Sequence, residues 1–185
     1  MLPLGRYAAL RSTDRDLAER AIRMRHPGMH DFVTYGPSDW SIAINSVDLG
    51  RCKISAVETG ACSLSHLSDG VVRIFLPFSN GLALTRRGSR RLVSAGQLVM
   101  GPIGEFGCSF EPEQRSLIVA LPQKALQEAL ADFDWRGDLA ARIDELFLGP
   151  AEGVEPVARH LLGLIRALET APSKEAPFKR FLAAH

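Results

Sequence analysis

Net charge is almost absent: 22 lysines and arginines stand against 21 aspartates and glutamates, a formal +1 at pH 7. A module that binds DNA unaided carries a basic excess to neutralise phosphates, so DNA contact is expected only through a further domain. No apolar run approaches the ~20 residues of a spanning helix. The opening stretch MLPLGRYAALRSTDRD has no apolar segment of signal-peptide length either. No membrane contact is expected, and the expected compartment is the cytoplasm. Cysteine is scarce: Cys52, Cys62 and Cys108 are odd in number, form no CxxC, and sit in apolar strand-like contexts. They are expected to be buried free thiols in a reducing compartment. Of the five histidines, His26, His30, His66, His160 and His185, only His66 falls in a strand pattern, and Pro27-Gly28 separates His26 from His30. A metal centre needs several such donors converging, so no metal is expected. With no Gly-rich phosphate loop and no GxSxG elbow, no cofactor and no catalytic residue are assigned, and the chain is expected not to be an enzyme.

What is present is an ordinary globular composition, 46% hydrophobic over 185 residues, enough for one domain with its own core. Residues 71–121 carry the clearest pattern. Val72, Ile74, Leu76 and Phe78 alternate with Val71, Arg73, Phe75 and Pro77, the period of a strand with two different faces. Asn80-Gly81, Gly88-Ser89, Ala95-Gly96 and Gly101-Pro102 punctuate the remainder, so five strands fit the stretch. Earlier, residues 40–47, 51–58 and 61–67 alternate in the same way, and residues 29–38 suggest a brief edge strand. Eight or nine strands suffice to close a small barrel or a double-sheet jelly roll.

Helical signals flank this region. Residues 1–12 read as an extended arm, and Thr13 as the N-cap of a helix over 14–24 with Leu17, Ala21 and Met24 on one stripe. After Pro122 the period becomes helical over 123–133, 139–148 and 154–169. The last stretch bears a long apolar stripe, Val154, Val157, Leu161, Leu164, Ile165 and Leu168, which must be covered by the barrel wall or by a second copy. The expected class is therefore mainly β with C-terminal helices: a β-barrel preceded by one helix and followed by two or three. The expected divisions are 1–12 (arm), 13–121 (barrel with its leading helix), 122–170 (helical region) and 171–185 (linker or tail).

The strand at Arg73 to Pro77, the hairpin TRRGSRR, the segment SAGQLVMGP and the run RSLIVALPQKALQEAL together resemble the cupin-like N-terminal regulatory domain of AraC-type transcriptional regulators. That resemblance implies a jelly-roll barrel that binds a small-molecule effector, a homodimer formed by the C-terminal helices, and DNA binding by a helix-turn-helix domain that this chain does not contain. PSKEAPFKR has the composition of an interdomain linker, which favours a fragment over a stand-alone protein. The competing class is a stand-alone cupin-like enzyme or small-molecule-binding protein.

Pockets are mainly apolar with a few placed polar groups. The effector candidates are accordingly Trp40, Glu58, His66, Arg73, Phe75 and Phe78. Trp40, His66 and Phe78 lie on the more apolar face of their strands and read equally as core. Glu58 shares a face with Cys52 and Ile54, which alternation would send inward. Arg73 and Phe75 occupy the opposite face of their strand, where Arg73 either points to solvent or holds an effector carboxylate. For the Val154 to Leu168 stripe, packing on the barrel and dimerisation both stand open. Arg86, Arg87, Arg90 and Arg91 surround one hairpin tip, as a solvated edge or an anion patch.

Overall fold

The computed structural model describes residues 2–26, 28–36, 39–67, 70–132, 136–148 and 155–170, with the side chains of 144–148 and 155–158 excepted. The expected stripe residue Val154, the side chain of Val157 and the expected tail 171–185 lie outside this set. Among the described residues, eleven strands form two antiparallel sheets. In chain order they are β1 (Ala8–Ser12), β2 (Met29–Thr34), β3 (Ile42–Asp48), β4 (Lys53–Thr59), β5 (Cys62–Leu67), β6 (Val71–Ser79), β7 (Leu82–Arg86), β8 (Ser89–Val93), β9 (Val99–Met100), β10 (Glu105–Phe110) and β11 (Gln114–Pro122). A six-stranded sheet runs β1-β3-β4-β11-β6-β9 and a five-stranded sheet β2-β5-β10-β7-β8. The helices are α1 (Arg15–Arg25), α2 (Gln123–Ala131), α3 (Leu139–Leu148) and α4 (Glu155–Thr170).

Several local expectations shift. The stretch read as an extended arm is seated on the sheet: after a short 3-10 turn at Gly5–Tyr7, β1 pairs with β3 as the edge of the six-stranded sheet. Leu2 and Leu4 are buried, and the fully buried Asn45 donates from Nδ2 to the Pro3 carbonyl at 2.6 Å. The Leu4 N–H donates to Glu169 Oε1 at 2.8 Å, tying the chain start to the end of α4. The cap of α1 is Asp14, not Thr13; its Oδ1 accepts from the Leu17 N–H at 3.0 Å. The buried face of α1 is Ala18, Ala21 and Ile22, while Met24 is 78% exposed. Two alanines let the helix axis approach the sheets closely, and that rotates the expected stripe. The hairpin tip between β7 and β8 is Arg87-Gly88, both at positive φ (47° and 81°), the pair of dihedrals that a two-residue turn matched to strand twist requires.

The two faces of the six-stranded sheet bury different things. Outward, Ile54, Ala56, Leu76, Leu117 and Val119 pack with Ile165 and Leu168 of α4, and Val72 packs with Leu139 and Ile143 of α3. Inward, Ile44, Val57, Phe75 and Ile118 meet Leu64, Leu84, Phe106 and Cys108 of the opposing sheet, with Ile22 of α1 closing that space. The more apolar face of β6 is thus the outer one, under helices, and the face with Arg73 and Phe75 lines the interior.

Candidate functional site

The interior is closed at one end by the last turn of α1 and by His26, whose N–H still bonds the Ile22 carbonyl at 2.8 Å. Three polar side chains meet there. His66, from β5, is 4% exposed and stacks on Phe106 with ring centroids 5.7 Å apart and planes at 18°. His26 meets His66 edge-on at 6.4 Å. Arg73, from β6, is 8% exposed, and two residues along the same face Phe75 packs edge-on against Phe106 at 6.3 Å. His26, His66, Arg73 and Phe75 line a small cavity of about 70 Å³, whose remaining wall is largely apolar, including Met29, Cys108 and Ile118.

Outside this cavity lies a cleft of about 350 Å³, and His26 and Arg73 line both spaces. The cleft is edged by the β3–β4 turn, where Arg51 and Lys53 stand, with Asp48 opposite and Arg25 from α1. The ladder explains the crowding of cations. Ala120 of β11 pairs with Lys53 on one side and with Arg73 on the other, so both cationic residues occupy the inner face and flank one methyl group. Arg25 is committed elsewhere, donating to the carbonyls of Ala21 and Ala9 at 3.1 and 2.9 Å. Burial first, and then the charges of Arg73, Lys53, His66 and Arg25, push the His26 pKa down to about 4, so its ring is neutral near pH 7.

The three cysteines are free thiols. Burial raises the pKa of Cys62 to about 11, against a hydrogen bond with Thr59, and holds Cys108 well above the ordinary thiol range. Cys52 is raised too, by burial and by Asp48. Protonated thiols are poor nucleophiles. Among the described residues no three of His, Cys, Asp and Glu stand close enough to hold a metal ion.

Of the expected effector residues, His66, Arg73 and Phe75 converge on the inner cavity. Trp40 is buried in the interior with Ile42, Ile44 and Val57, its ring edge-on to Phe32 at 6.1 Å, but it does not line that cavity. Glu58 and Phe78 stand elsewhere, and the expected inward direction of Glu58 is corrected. Its face of β4 is the outer one, shared with Ile54 and Ala56, and it pairs with Arg115 at 3.0 Å. Phe78 packs on the outer cluster beside α4. Of the expected dimer seam, Ile165 and Leu168 are buried against the six-stranded sheet and Leu161 and Leu164 are half-buried there. These four side chains pack within the protomer, and among the described side chains of α4 the large apolar Leu162 is 39% exposed. Sequence reasoning missed His26, Arg51 and Lys53. The available signal was alternation: Lys53, Ser55 and Val57 share the inner face that the apolar count assigned outward.

The chain matches no family model and no curated protein sequence. Among solved structures it is similar to the AraC-like transcriptional activator CuxR, with a TM-score of 0.53 and 13% identity over 90% of this chain and 72% of that one. Smaller likenesses are to KdgF from Halomonas sp. (TM-score 0.39, 16% identity, 50% of this chain and 88% of that one) and to the cupin domain of Schizosaccharomyces pombe Cnp3 (TM-score 0.39, 11% identity, 53% and 74%). At these identities the likeness is one of fold: the chain has a cupin-like fold of two antiparallel sheets with a few helices.

Proposed function

We propose that this chain is the regulatory module of an AraC-type transcription factor, which senses a small molecule in its barrel and pairs with a second copy to control a separate DNA-binding domain. The observation that carries this reading is that single strands serve two purposes. On β4 and β6, Lys53 and Arg73 line the cleft, Arg73 reaching the inner cavity as well, while their neighbours Ile54 and Val72 pack on the outer face among the α4 and α3 contacts. A ligand that draws Lys53 or Arg73 inward moves strands on which the helices rest, so occupancy can bias how α4 and the chain start are seated. The likeness to an activator over 90% of the chain supports the same reading. A binding role also suits the interior: a buried guanidinium beside two histidines opposes a divalent cation, and the thiols are held protonated.

With Ile165 and Leu168 engaged within the protomer, a dimer contact on α4 uses the side of Leu162. Light scattering over a dilution series is the test. A particle of twice 20.2 kDa, reduced to monomer by Leu162→Glu, supports the regulator reading. A strict monomer at every concentration overturns the dimeric model.

A further inference from the structure

We infer that the cleft beside Ala120 is a carboxylate-binding site, with Lys53 and Arg73 gripping the acid group from either side and a short apolar tail reaching past His26 into the inner cavity. The inference deepens the sensor reading above and rests on it. Charge selects the head group. Arg25, His26, Arg51, Lys53 and Arg73 line the cleft with one described carboxylate among them, that of Asp48. Lys53 and Arg73 both pair with Ala120, so two cations stand on the same face two strand spacings apart, roughly 10 Å, with only a methyl group between them. Like charges held over a gap repel, and an anion in the gap turns that repulsion into two attractions. A planar guanidinium matches the two oxygens of a carboxylate. The repulsion is felt by a neighbour: Arg73 and Lys53 are the leading charges that disfavour protonation of His26.

Size and polarity select the tail. Beyond Arg73 the inner cavity holds about 70 Å³ between Met29, Phe75, Cys108 and Ile118, the room of roughly two water molecules or a few carbons. Neutral His26 and the ring of His66, backed by Phe106, join Phe75 in a wall that accepts an alkyl group. A bulky or doubly charged ligand does not fit the inner part, whereas a short aliphatic acid places its alkyl end there and leaves its carboxylate at the cleft.

The test is a titration of the full chain with carboxylates from acetate to hexanoate, followed by amide NMR and calorimetry, with butanamide as the neutral match for butanoate. Expected is saturable binding of a short carboxylate, at least about tenfold tighter than its amide, the weight of one charge-assisted contact. Because Arg73 is buried, its replacement can unfold the chain, so the rim variants Lys53→Gln and Arg51→Gln carry the argument. Lys53→Gln should weaken butanoate about tenfold and leave butanamide unchanged. Equal binding of acid and amide, binding indifferent to both rim variants, or no saturable binding across the series overturns the carboxylate site. The sensor reading fails separately. If butanoate binds in the expected way but leaves the α4 amide signals and the particle mass unchanged, the site stands and its regulatory role falls.

Discussion

Strand β6 has two faces with opposite duties. Val72, Ile74, Leu76 and Phe78 point out of the barrel towards the helices, Val72 and Leu76 buried and Ile74 and Phe78 partly so; Arg73, Phe75 and Pro77 point into it. The apolar face belongs to the larger core, and the face with a charge belongs to the lumen. In a barrel with helices packed on one sheet, the part of that sheet beneath the helices meets little water and is apolar, while its uncovered end carries the Glu58–Arg115 pair. The inside can carry an arginine because Arg73 also lines the cleft, where a cation keeps part of its hydration.

The difference between the faces should be largest when two neighbours on one strand are shortened. Leu117 of β11 faces the helices with no exposure, and Ile118, next in sequence, faces the lumen at the wall of the small cavity. Leu117→Ala should cost about 3–4 kcal/mol, because the tight outer core cannot collapse around the lost atoms. Ile118→Ala should cost about 1–2 kcal/mol, since its side chain is only half-buried and already borders open space. Urea unfolding of both variants reads the difference. Equal losses would mean the two faces are equally packed.

Titration separates the faces a second time. His26 has a folded pKa of about 4 against 6.5 for the free side chain, with Arg73 on β6, Lys53 on β4, His66 on β5 and Arg25 on α1 facing it. Between those values the unfolded chain binds the proton and the folded chain does not, so stability rises with pH across the window. The contribution is fully present above pH 6.5 and is lost as pH falls towards 4, by at most about 3 kcal/mol. Carboxylates add their own acid dependence. The wild type should therefore lose more stability than His26→Gln between pH 7 and 4, by roughly 2–3 kcal/mol. Parallel curves would place the His26 ring in water.

The same two faces decide how much was legible in the sequence. Alternation located β3 to β6 and the turns between them, because period two survives whichever side is buried. It assigned direction by apolar content, and there it failed: the rule that the greasier face lines the barrel holds for a bare barrel and reverses for one with helices on its back. Glu58 and Phe78 were sent inward for that reason, and Lys53 was passed over. His66, Arg73 and Phe75 were legible as candidates since a charge or a ring beside an apolar strand stands out in either direction. Arg51 was not, because what brings it near Arg73 is the ladder from β4 through β11 to β6, and His26 was not, because it arrives from the end of α1; both joins link residues far apart in sequence. The β1 pairing was hidden likewise: Arg11 and Asn45 bond at 3.0 Å only once β3 lies alongside.

Glu58 gives the smallest effect and the finest test of orientation. Its carboxylate accepts from Arg115 Nε at 3.0 Å and from Nη2 at 3.4 Å, on the outer face, with side chains 36% and 43% exposed. An ion pair so wet is worth about 0.5 kcal/mol, and salt screens it further. Glu58→Gln should thus lower stability by about that amount at low ionic strength and by nothing measurable at high salt. A carboxylate inside the barrel would behave otherwise. Removing it would strand its buried partner, at about 3–5 kcal/mol and with little response to salt. A loss of that size would turn β4 around, take Lys53 out of the cleft, and remove the second cation from across Ala120 on which the carboxylate grip depends.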